Sequence, residues 1–320
     1  RPVISWIFAV GIGLLGTVQY HLVQFSSRFD TFFGDRGDAR GFLYFCEHWY
    51  QAFQGKTNLL SPGIFYPVKG TLAYSDLLFG YAVPYAVFRA AGFGMFTSVE
   101  LVVILITFLS YLACFVLLKF VLRFGLLPSC LGAMFFAFSS PKFFQTGHIQ
   151  LQFVLFLPLI FICVIRFVQG AETFSQKRAA LWLSLASVFF ILQLVTAFYY
   201  AWFFVFWSVL FLILTLIFPV TRRFSFLLVR KYWPAMLAAA GVLLLGFVPF
   251  LLIYLPTVRV SNWYTYSNVA LMIPEWWWLL SMGDGNYIWG WLGAAVRPEP
   301  WPATWGAPRR PPSAWTCPTR

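Results

Sequence analysis

Apolar residues along the chain gather in runs of about 20, the length a helix needs to cross roughly 30 Å of hydrocarbon. Runs of this kind occupy residues 3–23, 97–118, 126–144, 149–168, 179–196, 198–218 and 234–255. The stretch 179–218 is long enough for two spans, and "TAFYY" (Thr196 to Tyr200) predicts the turn between them. A further apolar segment, 72–92, is broken by Asp76, Pro84 and Arg89. The pattern predicts an all-α, polytopic transmembrane helix bundle of about seven spans.

A shorter period governs residues 39–53. Phe42, Phe45, Cys46, Trp49 and Phe53 fall on one helical face, with Arg40, Glu47, Gln51 and Gln54 on the other. This predicts an interfacial amphipathic helix lying in the headgroup plane with its aromatics down. Asp38 stands just ahead of it, where an N-cap carboxylate would satisfy free backbone N–H groups. Residues 24–96 then form a long first loop, and 1–292 one transmembrane domain. Residues 293–320 are proline-rich and aperiodic, and predict a disordered tail.

Composition sharpens the class. Hydrophobic residues make up 61% of the chain and charged ones 10%, with mean hydropathy +0.78; soluble domains carry about a quarter charged residues. The net charge of +12 does not indicate nucleic acid. Its basic residues sit in pairs between apolar runs (Lys177-Arg178, Arg222-Arg223, Arg230-Lys231), as in cytoplasmic loops. The five cysteines are scattered without metal or disulfide spacing. Residues 6–23 lack a signal-peptide cleavage site and read as a span.

Charge bias leaves two topologies. With the N-terminus inside and 72–92 lying on the membrane, Lys119, Arg123, Arg166, Lys177, Arg178, Arg222, Arg223, Arg230 and Lys231 all fall inside. They also do so if 72–92 crosses and the N-terminus is outside, but residues 34–50 are then cytoplasmic.

The stretch "GDRGDARGFLYFCEHWY", Gly34 to Tyr50, holds three carboxylates of the ten in the chain. Read locally, Asp38 is a cap, "GDRG" a turn and Glu47 part of a solvated face. Farther on, "SPGIFYP" suits a structured loop, and "GTLAYSDLLFG" plants Asp76 in apolar surroundings. "SSPKFFQTGHIQLQ" puts Lys142, His148 and Gln150 at a membrane boundary.

The order "GDRGDARGFLYFCEHWYQAFQG", "SPGIFYPVKGTLAYSD", "GHIQL" resembles the GT-C superfamily of polytopic glycosyltransferases, and more closely an uncharacterised bacterial branch of it. The likeness runs from about Ser5 to Trp291 and is strongest between Gly34 and Gln152; the proline-rich end departs from it. The resemblance implies a first loop outside the membrane carrying an essential acid, with 72–92 a surface or re-entrant element. It implies a bacterial inner-membrane enzyme that moves a sugar from a polyprenyl-phosphate donor to an extracytoplasmic acceptor.

Asp38 is then the foremost candidate base, with Asp35 second. Arg36, Arg40, Lys142 and His148 are candidates to face the leaving phosphate. Glu47, His48, Asp76 and Gln150 would bind or orient substrate. Some members use a divalent metal, and Asp35, Asp38 and Glu47 would supply oxygen ligands to Mg or Mn. The alternatives are a lipid-linked oligosaccharide flippase or small-molecule transporter, for which Glu100 and Gln193 are the main intramembrane polar groups, and a structural scaffold.

Overall fold

The computed structural model describes residues 2–34, 37–139, 142, 143, 145 and 147–260, and beyond these only 266, 270, 273, 280 and 289–296. The chain divides into a unit of residues Arg1–Val260 and one of Ser261–Arg320. In the second unit the described structure is chiefly a short helix, Gly290–Val296. Most of residues 261–288, and all of 297–320 within the predicted disordered tail, lie outside the described residues.

The regular elements among the described residues of the first unit are all helices. They form α1 (Pro2–Tyr20), α2 (Leu22–Ser26), α3 (Asp38–Phe53), α4 (Phe79–Ala90), α5 (Met95–Val116), α6 (Leu126–Ala137), α7 (Phe156–Gln169), α8 (Gln176–Leu194), α9 (Phe198–Ile217) and α10 (Pro219–Val260). Among the described residues six helices are long and apolar enough to cross a membrane: α1, α5 with its π-helical extension to Val121, α7 with the 3-10 turn before it, α8, α9 and α10. The protein is therefore an integral, multi-pass helical bundle.

The predicted seventh span, residues 126–144, contracts to the 12 residues of α6. At 1.5 Å per residue this covers only about 18 Å. The helix ends at Ala137, with Phe138 as its C-cap residue. The predicted last span, 234–255, is the second half of α10, which breaks at Tyr232 (φ −117°, ψ 18°), two residues before Pro234. Proline cannot donate to the carbonyl four residues back.

Segment 72–92 holds no helix long enough to cross a membrane. Its helix, α4, has 12 residues and runs through Pro84. The start of α4 is clamped to the turn between α8 and α9, where Phe79 N–H donates to Val195 O (3.2 Å) and Gly80 N–H to Thr196 Oγ1 (2.9 Å). A Cβ on Gly80 would fall 2.6 Å from both the Phe153 ring and that hydroxyl, so only glycine permits the approach.

Such ties sort the first unit into two ends. At one, hydrogen bonds tie the first loop to the 149–152 turn, the end of α8 and α10 (Tyr81 to Ile149 O, Phe79 N–H to Val195 O, Tyr254 to Ser75 O), and tie that same turn to α1 and α9 (Tyr20 to Gln152, Tyr200 to Leu151 O). At the other, Arg166 donates to Phe120 O, Gln169 to Val121 O, Gln176 to Lys231 O, and Tyr232 to Ala171 O. The nine basic residues named above belong to the segments of this second end, with Glu172 their only acid in sequence.

The amphipathic helix forms, but its aromatic face meets protein rather than lipid. Phe42 packs edge-on to Tyr81 at 4.9 Å, Tyr81 to Phe153 at 5.0 Å, and Trp49 Nε1–H donates to Leu77 O at 2.6 Å. These side chains join Val99, Val102 and Ile106 of α5 in the main core beneath the loop. Of the predicted apolar face only Phe53 stays exposed.

Candidate functional site

Asp38 opens α3 without capping it. The N-cap residue is Gly37, which makes no side-chain cap bond, so Asp38 is the acid of the first helical turn. There the positive end of the helix dipole favours a carboxylate. Its Oδ2 lies 3.0 Å from Nδ1 of His148, joining two segments that the sequence keeps far apart.

His148 is held from behind. It precedes a 3-10 turn, Ile149–Gln152, pinned by three tyrosines from different elements. Tyr81 donates to Ile149 O, Tyr200 to Leu151 O and Tyr20 to Gln152 Oε1, each at 2.8 Å. Gln152, buried to 1% exposure, also donates to Lys142 O. A rigid, aromatic platform thus carries an imidazole that is itself open: the side chains of His148 and Asp38 are 52% and 61% exposed.

A pair this exposed contributes at most about 1 kcal/mol to stability. Its chemical capacity is greater. A carboxylate accepting from Nδ1–H orients the imidazole and leaves Nε2 as a lone-pair acceptor toward solvent, an arrangement that takes a proton from a hydroxyl.

The other expected site residues are placed differently. Asp35 and Arg36 lie outside the described residues. Arg40 is exposed, but two positions along a helix turn it about 200° from Asp38. Gln150 is half-buried within the pinned turn. Lys142, expected at the leaving phosphate, is buried and donates inward to Ala137 O at 3.0 Å. Burial lowers its pKa to about 7. It is an internal strut that a phosphate arriving from solvent does not meet.

Glu47, His48 and Asp76 are each engaged by other parts of the chain. Glu47 accepts from Tyr85 Oη at 2.6 Å and pairs with Arg89 Nε at 3.0 Å, locking α3 to α4, while Arg89 lies 5.3 Å over the Tyr50 ring. Burial works to raise the Glu47 pKa, but hydrogen bonds from Arg89, Tyr85 and Gln51 outweigh it and hold the carboxyl below its usual range. His48 is buried, with Nε2 3.0 Å from Leu59 O. Asp76 is buried and its Oδ1 accepts from Phe198 N–H at 2.8 Å, so it caps α9 across the bundle. Burial raises its pKa to about 7, against the opposing hydrogen bonds from the Phe198 and Asp76 backbone.

These placements bear on the metal expectation. Asp38 and Glu47, nine residues apart on α3, point to opposite sides about 13 Å apart along the axis. Glu47 therefore cannot share an ion with Asp38. Among the described residues no three His, Cys, Asp or Glu side chains gather as a metal site. Cys46, whose neighbours are Phe42 and Trp49, is likewise buried at 1% exposure and closed to reagents.

Sequence reasoning named Glu100 only as an intramembrane polar group, and missed His21 and the contacts that both make near the start of the first loop. Glu100 Oε1 accepts from Phe33 N–H, fixing the approach to the loop, while its Oε2 is buried without a partner. His21 Nε2 lies 3.2 Å from Thr107 Oγ1, and its ring packs 5.1 Å from Phe33. The available signal was polar residues clustered at span ends, Tyr20-His21 and Gln152 among them. The chain matches no protein-family model, no curated protein and no solved structure.

Proposed function

We propose that the chain is a membrane glycosyltransferase moving a sugar, of the hexosyl type, from a polyprenyl-phosphate donor to an extracytoplasmic acceptor. The observation that carries this reading is the Asp38–His148 pair, open to solvent on a buried aromatic platform at the loop end of the bundle. It unites two of the three motifs on which the superfamily resemblance rests. In the proposed step the acceptor hydroxyl gives its proton to the pair as its oxygen attacks the anomeric carbon. The bond from that carbon to the phosphate oxygen breaks, and its electrons leave with polyprenyl phosphate. The leaving phosphate needs positive charge rather than a proton. The imidazolium formed at His148 would supply it, with Arg36 beside Asp38 in sequence. A divalent ion, where the reaction uses one, would draw on Asp35 and Asp38.

The sidedness is part of the proposal. The basic end carries the nine Lys and Arg residues, and positive charge collects on the cytoplasmic side. That would put the pair on the outer face of a bacterial inner membrane. The rival carrier reading has Glu100 in its favour, a buried acid with one unpartnered oxygen. Glu100, however, is the sixth residue of α5 and holds a loop N–H near the helix end, whereas carriers place charge near the midplane.

Purified protein in proteoliposomes, supplied with polyprenyl-phosphate-linked radiolabelled sugars, tests this. Release of polyprenyl phosphate with sugar on an acceptor or water supports transfer. Movement of the intact donor between leaflets without bond cleavage would replace it with the flippase reading.

A further inference from the structure

Between Lys56 and Lys69 the first loop presents an apolar tip that stays exposed. Ile64, Phe65, Tyr66 and Val68 are 41%, 45%, 88% and 48% exposed. The loop is nonetheless tightly held. Its neck is closed by Leu72 N–H to Leu60 O (3.2 Å), Gly70 N–H to Ser61 Oγ (3.0 Å) and Thr71 Oγ1–H to Pro62 O (2.7 Å). The Phe65 ring is braced at 5.4 Å by Tyr74. A loop fastened in this way displays its apolar residues in a fixed place, and such exposure marks an interaction surface.

Two observations identify the partner. The first is height. Leu60, Val68 and Lys69 line a cleft of about 310 Å³ with Leu252, Ile253 and Pro256 of α10. Those α10 residues lie in the last turns of a span that ends at Val258. Counted from the kink at Tyr232, the 20 residues up to Leu252 already cover about 30 Å, so a loop packed there is at the height expected of the bilayer boundary. The second is charge. Both flanking lysines are exposed, and no acidic residue occurs between Glu47 and Asp76. Aromatic and aliphatic groups flanked by lysine suit the headgroup–acyl boundary, where long cationic side chains reach lipid phosphates.

We propose that residues 56–69 form an interfacial anchor. Its tip enters the headgroup–acyl boundary of an anionic bilayer, and Lys56 and Lys69 contact lipid phosphates. The anchor fixes the first loop, and α3 through the contact of His48 with Leu59, against the membrane surface. It is independent of the chemistry performed at Asp38.

The test uses the full chain in a cysteine-free background, with a single nitroxide label at Tyr66→Cys, Val68→Cys or, as reference, Gln51→Cys. Each is placed in nanodiscs of phosphatidylcholine alone or with phosphatidylglycerol added. Tip labels should be several-fold more accessible to oxygen and less accessible to a water-soluble nickel chelate than the reference. Phosphatidylglycerol should deepen them, and Lys56→Gln with Lys69→Gln should abolish that extra depth. Two tip positions guard against loss of Tyr66 as an anchor residue. Tip labels as open to the nickel chelate as the Gln51 label would overturn the anchor. Equal depth in both lipids, unmoved by the lysine changes, would overturn the anionic preference.

Discussion

The Asp76 cap makes a prediction in which pH and substitution can be separated. Asp76→Ala leaves Phe198 N–H, at the first turn of α9, without its acceptor. Losing such a partner costs about 1–3 kcal/mol. In a chain of this size that lowers Tm by about 2–6 °C. Asp76→Asn keeps the acceptor oxygen but cannot ionise. Burial raises the wild-type carboxyl from 3.8 to about 7, a difference of about 4 kcal/mol between its protonation states. Because the folded pKa lies above the unfolded one, the stabilisation is full below pH 3.8 and is lost as pH rises through about 7. Wild-type Tm should therefore fall relative to that of Asp76→Asn between pH 5 and pH 8. A thiol-reactive dye that reports exposure of the buried Cys46, Cys114, Cys130 and Cys163 on unfolding gives the readout in detergent. Parallel wild-type and Asn profiles, or an Ala variant as stable as Asn, would refute the cap.

Two further outcomes follow from the geometry. Glu47→Gln should lower Tm at neutral pH by removing the charge opposite Arg89, and the difference from wild type should vanish as pH falls through the depressed Glu47 pKa, because that stabilisation exists only while the carboxylate is ionised. An impermeant thiol reagent should label a lone Gln54→Cys from outside and a lone Lys177→Cys only after the membrane is opened; the reverse pattern would invert the topology. The native Cys46 would not serve, being buried.

Hydropathy made the spans legible because lipid-crossing helices must be apolar along their whole length. It overextended 126–144, since apolarity does not reveal that a helix has ended and a loop has turned inward, as at Lys142. The period of α3 correctly marked Phe42, Phe45, Cys46 and Trp49 as one buried face. A period states that a face is covered, not by what, and here α4 and α5 take the place expected of lipid. Asp76 and Glu47 were conspicuous as acids in an apolar chain, but their partners, Phe198 and Arg89, lie at distances no local pattern encodes. The meeting of Asp38 and His148 had the same long-range character, and only their shared place in the motif order hinted at it.

The central claim is that the Asp38–His148 pair accepts the proton in sugar transfer. The most direct measurement is turnover of Asp38→Asn with a polyprenyl-phosphate sugar donor, beside Glu47→Gln as a variant outside the reacting pair. Asn preserves size, but being neutral it neither holds His148 with Nδ1 protonated nor stabilises the imidazolium formed when Nε2 takes the proton. The account predicts a fall of about two to four orders of magnitude for Asp38→Asn, with folding intact and Glu47→Gln much closer to wild type. Wild-type turnover in Asp38→Asn would contradict it.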